Sequence, residues 1–88
     1  MAVSVKGTTI VATAQGDTYP DWIRVKECRW QGGADNADLL VEDAAAAARI
    51  MKSKSDQDDF IDVVRPDRWY KGFKVTTMTS GEVTFYVE

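Results

Sequence analysis

The groups in this chain that could do chemistry are fourteen carboxylates, eleven Lys and Arg side chains and one thiol, with no histidine among them. The missing imidazole removes the commonest general base, the Ser-His and Cys-His nucleophile pairs, and every zinc site with a histidine ligand. Carboxylates alone could still serve a glycosidase, which needs an acid and a base flanking the scissile bond. With 14 of them in 88 residues, some pairs lie close whatever the function, so their abundance selects no reaction. Asp56, Asp58, Asp59 and Asp62 crowd one segment, as calcium ligands do. An EF-hand loop wants alternating oxygen ligands and a glycine at the sixth position, where this chain has Phe60 and Ile61, so the segment reads as a solvated acidic loop. Gly32-Gly33-Ala34-Asp35 matches the opening of a calcium-binding β-roll repeat, but it occurs once and lacks the later Gly and Asp positions. The expectation is a non-enzymatic protein with no catalytic residues, no metal and no cofactor.

Cys28 is the single cysteine and can form neither an intramolecular disulfide nor a thiolate cluster. In an apolar stretch far from any base, it reads as a small core residue. A more informative constellation is Arg65, Arg68, Lys71 and Lys74 interleaved with Trp69, Tyr70 and Phe73. Those four cations stand against one carboxylate, Asp67, a local charge of +3. One reading is a single-stranded nucleic-acid surface built on Arg68, Trp69, Tyr70 and Lys71, with bases stacking and phosphates pairing with cations. The other is a set of core or protein-interface aromatics whose cations keep an edge soluble. The net charge of −3 favours the second and makes nucleic acid an unlikely partner, since such a partner usually demands a basic surface. Three Trp and three Tyr exceed what one small core readily hides, which adds Trp22 to the candidates. The expected interface set is Trp22, Arg65, Arg68, Trp69, Tyr70 and Lys71.

Positioning these residues falls to one globular domain, because 88 residues cannot fill two cores and 28% charged with 44% hydrophobic residues is not a disordered composition. Thr8 to Ala14 has the β-branched content of a strand, and 15–18 reads as a turn. Trp22 to Gln31 reads as a strand with a break in its alternation: Ile23 and Val25 share one parity, Cys28 and Trp30 the other. One extra residue near Lys26 or Glu27 would place all four on a buried face; without it, Trp22, Cys28 and Trp30 point inward and Ile23 and Val25 outward. A loop is expected over 32–36, where the paired glycines can take positive φ. Asp38 to Met51 is ambiguous. Leu40, Ala44, Ala47 and Met51 have helical spacing and alanine the highest helix propensity, yet Leu39-Leu40-Val41 and Arg49 to Lys52 have the length of strands. Residues 53–59 read as a surface connection, Phe60 to Val64 as a strand and Arg65 to Gly72 as a loop. Phe73 to Met78 and Glu82 to Val87 alternate cleanly about Thr79-Ser80-Gly81, the signature of a hairpin. Together these predict an all-β fold, a single antiparallel β-sandwich or barrel of about seven strands. Its expected core is Ile23, Val25, Leu40, Ile50, Val63, Val75, Val83 and Phe85.

The run from Tyr70 to Val87 resembles the closing hairpin of small β-rich structural proteins of tailed bacteriophages and prophages. Ile23-Arg24-Val25, Cys28-Arg29-Trp30 with Gly32, and Leu39-Leu40-Val41-Glu42-Asp43 resemble the second strand and central hairpin of the same proteins. The resemblance covers most of the chain from Thr18 onward, and its motifs are structural. It implies a bend at 44–47 and a returning strand over 48–54 in place of the helix. It further implies a virion component made in the bacterial host cytoplasm, one that decorates or cements a head lattice and has a phage capsid or other virion protein as its partner. No charged leader follows Met1 and no apolar run approaches membrane-spanning length, so no membrane association is expected. A homo-oligomer is expected, because so small a domain buries its apolar surface incompletely.

Overall fold

A computed structural model describes residues 3–45, 48–55 and 60–88. Among these residues there are eight β-strands and no helix: β1 (Val3–Lys6), β2 (Thr9–Ala12), β3 (Thr18–Gly33), β4 (Asp38–Glu42), β5 (Arg49–Lys54), β6 (Phe60–Val64), β7 (Arg68–Met78) and β8 (Glu82–Val87). All pairings are antiparallel and belong to one sheet of order β1-β2-β8-β3-β7-β4-β5, with β6 also on β3. The expected all-β antiparallel fold therefore forms, with eight strands rather than seven and as a single sheet that does not close into a barrel. The extra strand arises at the N-terminus. Val3–Lys6 folds back on Thr9–Ala12 about Gly7, which takes a φ of 60°.

The sixteen-residue β3 organises everything else. It is longer than the expected Trp22 to Gln31 and absorbs Gly32 and Gly33, which the sequence assigned to a loop. Its pairing with β8 slips between Val25 and Glu27, which makes Lys26 the extra residue of a bulge. Ile23, Val25, Cys28 and Trp30 are consequently all buried and Trp22 is exposed, the bulged alternative of the two left open by the alternation. A second slip lies between Tyr19 and Trp22, where Pro20 and Asp21 face Gly72 of β7. Pro20, with no N–H to donate, sits where the ladder is already interrupted.

Ring contacts show how far these bulges turn the strand. Phe73 pairs with Tyr19 and Phe85 with Cys28, nine residues apart on β3. A straight strand would separate them by roughly 30 Å at about 3.3 Å per residue. Instead the Phe73 and Phe85 rings stack with centroids 4.1 Å apart, and Tyr19 stacks on Phe73 at 5.9 Å. The two halves of β3 thus face each other across the core, and the sheet rolls with them.

This roll overturns the expected hairpin of the last two strands. β7 and β8 do not pair with each other; they flank β3 on opposite edges, both meeting it at Val25. Thr79-Ser80-Gly81 is a corner, tied down by Trp30, whose Nε1 donates to Ser80 O at 3.0 Å, and by the Asp38 N–H, which donates to Thr79 Oγ1 at 2.9 Å. Arg65 to Gly72 is likewise not a loop. β6 and β7 run end to end along one edge of β3, joined by Arg65-Pro66-Asp67, and residues 68–72 belong to β7. The central ambiguity resolves as a hairpin: β4 pairs with β5 from Asp38–Lys54 to Glu42–Arg49. Ala44 and Ala45 lie in its turn, while 46 and 47 fall outside the described residues. Helix propensity loses here because Leu39 and Val41 pair with β7 and bury almost completely.

Of the expected core, Ile23, Val25, Ile50, Val75, Val83 and Phe85 are buried. Leu40 and Val63 are only half-buried. Leu40 has the opposite parity to Leu39 and Val41, and Val63 lies opposite Arg29 on the outer face. Ser53 and Lys54, which composition placed in a connection, end β5 (Arg49–Lys54), in line with the returning strand over 48–54 that the resemblance implies; Asp56, Asp58 and Asp59 lie outside the described residues. A buried carboxylate holds the roll on its other side. Asp17 Oδ2 accepts from the Thr13 and Ala14 N–H groups at 3.1 Å each. This fixes a turn that joins β7 through Val75 N–H to Asp17 O (2.9 Å) and Gly16 N–H to Val75 O (2.8 Å).

Gly72 is the tightest point. Its φ is +67°, and a Cβ there would lie 1.7 Å from the carbonyl oxygen of Tyr19. Gly72→Ala should cost about 3 kcal/mol or more, read as a fall in the urea midpoint, because neither backbone can yield without moving the bulge. Gly7→Ala, with similar φ and nothing within 4 Å, should cost only about 1 kcal/mol. Equal losses would show that Gly72 is not a packing constraint.

Candidate interaction surface

Residues 22–25 of β3 pair with 68–71 of β7, and strand alternation divides these eight side chains between two faces. Ile23, Val25 and Tyr70 turn inward and are buried. Trp22, Arg24, Trp69 and Lys71 turn outward, with Trp22 opposite Lys71 and Arg24 opposite Trp69. The two indoles are diagonal neighbours, a relation that places residues on the order of 7–8 Å apart. They are 62% and 59% exposed, the largest apolar groups on the described surface. Trp30, by contrast, is wholly buried.

Between the indoles Arg24 is held from two sides. Its Nη1 lies 2.9 Å from Glu88 Oε2 and its Nη2 3.1 Å from Asp67 Oδ1. The Glu88 N–H also donates to the Arg24 carbonyl at 3.2 Å, so the backbone pairing just after β8 brings the Glu88 side-chain carboxylate to the site. Asp67 reaches it from the link between β6 and β7, in a left-handed conformation with φ 49°. Exposed ion pairs of this kind are each worth about 0.2–1 kcal/mol, so their main effect is to fix the guanidinium rather than to hold the fold together. Arg24 and Lys71 balance Asp67 and Glu88, which leaves a nearly neutral patch framed by two indoles.

The expected interface set is therefore split. Trp22, Trp69 and Lys71 come together on this face. Tyr70 does not join them: it is 5% exposed and belongs to the core, because β7 is a strand here and Tyr70 pairs with Ile23. Arg68 shares the inward parity of Tyr70 and sits at the rim, its guanidinium 5.6 Å from the Tyr70 ring centroid. Arg65 is exposed, with Nε donating to Glu27 Oε1 at 3.0 Å. Lys74, exposed beside the buried Phe73, faces outward as Lys71 does, so the four cations spaced three apart in sequence do not form one stripe. Arg24, Asp67 and Glu88 were missed by the sequence reading. Their meeting needs three strands, and Arg24 in a strand resembles any solvated charge.

Within this domain Cys28 is an inert thiol. Burial raises its pKa above the ordinary thiol value, and the negative charges of Asp62 and Glu27 raise it further. Among the described residues no three His, Cys, Asp or Glu side chains are placed to hold a metal ion. Among the described residues no helix is long and apolar enough to cross a membrane. No family model, curated protein or solved structure matches the chain.

Because the thiolate is the reactive form, Cys28 should resist iodoacetamide in the folded protein and react only as fast as the domain unfolds. Mass spectrometry across a urea series checks this. Labelling that runs ahead of the unfolding transition would place Cys28 outside the sealed core.

Proposed function

We propose that the chain is a non-enzymatic structural protein of a phage particle, docking on a repeated capsid or tail surface through the outward face of β3 and β7. The observation that carries the docking face is the pair of exposed indoles, Trp22 and Trp69, on two hydrogen-bonded strands around a clamped Arg24. Rigid aromatic and Arg side chains lose little freedom on binding and are the residue types that dominate protein interfaces. The phage context rests only on the sequence resemblance of Tyr70 to Val87, Ile23 to Val25, Cys28 to Trp30 with Gly32, and Leu39 to Asp43 to small virion proteins; the closing hairpin that it implies does not form, since β7 and β8 do not pair. Symmetry suits the role, since each copy needs only modest affinity where a lattice presents many equivalent sites.

The same geometry weighs against single-stranded nucleic acid. Arg24 and Arg65 are engaged by carboxylates, and Arg68 lies on the opposite side of its strand from Trp69 and Lys71. A phosphate backbone tracking across the indoles would meet the Asp67 and Glu88 carboxylates on either side of Arg24.

The test is attachment to purified particles from the genome that encodes the chain, followed by mass spectrometry. The wild-type protein should be present at a uniform copy number. Trp22→Ala and Trp69→Ala should each weaken attachment by about 2 kcal/mol or more, roughly 30-fold, without loss of fold. Attachment should change little between 50 and about 200 mM salt, conditions over which a nucleic-acid complex with several phosphate contacts weakens by orders of magnitude. Absence of the chain from particles, or tryptophan variants that attach normally, would contradict the proposal.

A further inference from the structure

At the other end of the sheet, β5 is a terminal strand: among the described residues its backbone pairs only with β4, while on its inner side Ser53 Oγ donates to Asp62 Oδ2 of β6 at 2.6 Å. Three of its six residues are exposed cations, Arg49, Lys52 and Lys54, and none is a carboxylate. This is a strong local bias in a chain with net charge −3. Among the described residues none of the three forms an ion pair, although Asp38 stands opposite Lys54 in the ladder. Arg24 and Arg65 show that carboxylates elsewhere on this protein are used to hold cations.

The backbone of the same residues is what faces outward. The Ser55 N–H donates to Ala37 O at 2.9 Å, and the Asn36 N–H donates to Ser55 O at 3.2 Å, so Ser55 directs its peptide groups toward the β4 side. Peptide groups alternate between the two edges of a strand with period two. Ser53 and Met51 therefore share the direction of Ser55, and the N–H and C=O groups of Lys52 and Lys54 point to the open edge. Beside them on the outer face is a shallow depression of about 570 Å³, lined by Asp38, Leu40, Lys52, Ser53, Lys54 and Thr77. Leu40 gives its lining an aliphatic part, and Lys52 and Lys54 line it from β5.

We propose that the open edge of β5 accepts an extended, acidic segment of a partner protein as an added strand. Lys52 and Lys54 supply both the ladder hydrogen bonds and the opposite charges. Strand addition draws its affinity from main-chain pairing and its selectivity from alternate side chains. Here the alternate side chains of the incoming strand that share the outer face flank Lys52 and Lys54. A glutamate suits that position, its carboxylate between the two ammonium groups. Lysines on an edge also discourage pairing between copies of one protein, and this agrees with the proposal: the edge repels another β5 and attracts an acidic strand. The proposal does not depend on the face formed by Trp22 and Trp69, which lies on β3 and β7.

A blocked octapeptide alternating Glu and Val, titrated into isotope-labelled protein at low salt, tests this by amide shifts and hydrogen exchange. Saturable binding should shift β5 and slow exchange at Lys52 and Lys54, while Met51 and Ser53, already bonded to β4, keep their protection. Lys52→Glu combined with Lys54→Glu should weaken binding by about tenfold or more, with an otherwise unchanged spectrum. The same peptide with Lys in place of Glu should not bind. Four results would overturn the proposal: no saturation at millimolar peptide, shifts centred on Trp22 and Trp69, equal binding of the Lys peptide, or unchanged binding by the charge-reversed variant. Concentration-dependent protection of Lys52 and Lys54 without peptide would also overturn it, assigning the edge to a second copy.

Discussion

The bend in β3 is the constraint from which the rest of this structure follows. A sixteen-residue strand that ran straight would carry Phe73 and Phe85 on partners far apart, and the sheet would have two open faces and no sealed interior. Bulges at Lys26 and opposite Gly72 turn the strand until those rings stack. One face of the sheet then closes around Trp30, Phe73, Phe85 and the aliphatic residues of β2, β4, β5 and β7. Small domains have little apolar area to spend on folding, and a rolled sheet buries more of one face than a flat one. The cost is borne by a glycine that no other residue can replace and by a carboxylate, Asp17, sealed in the turn that fastens the roll.

The same bend creates the outer surface. Where β3 pairs with β7 before the Lys26 bulge, every second residue faces solvent, and two of those positions are tryptophans. The bend also brings the end of β8 and the link after β6 to opposite sides of Arg24, so a single guanidinium reports the packing of three strands. β5 lies beyond β4 at the far end of the sheet order. A domain with an aromatic face at its centre and a cationic strand at its margin has two chemically different surfaces.

Much of the local structure was legible in the residues. The parity change between Ile23-Val25 and Cys28-Trp30 offered a bulge near Lys26 or Glu27 or an unbulged strand with Trp22 inside, because an inserted residue resets alternation; the slip at Lys26 decides for the bulge. The strands around Leu40 and Ile50 were legible only through resemblance, since alanine-rich residues between them satisfy a helix equally well. Leu40 itself was misassigned for a related reason: in Leu39-Leu40-Val41 all three are apolar, and parity is decided by the partner strand, not by the run. The pairing of the last two strands misled most. Phe73 to Met78 and Glu82 to Val87 alternate as hairpin strands do, but alternation says which face is buried and nothing about which neighbour supplies the hydrogen bonds. That depended on β3 being long enough to serve both. The candidate site suffered in the same way: Tyr70 looked like Trp69's companion until β7 began at Arg68 and alternation sent them to opposite sides.

The most direct measurement is the pattern of proton-proton nuclear Overhauser effects around β3. A bent β3 flanked on both edges predicts cross-strand contacts from Ile23 to Tyr70 and from Arg29 to Thr84, together with ring-to-ring contacts between Phe73 and Phe85. Backbone contacts between β7 and β8 should be absent across the Thr79-Ser80-Gly81 corner. A ladder of contacts joining Phe73–Met78 directly to Glu82–Val87, with no contact between the Phe73 and Phe85 rings, would show that the two strands form a hairpin and that β3 is not folded around the core.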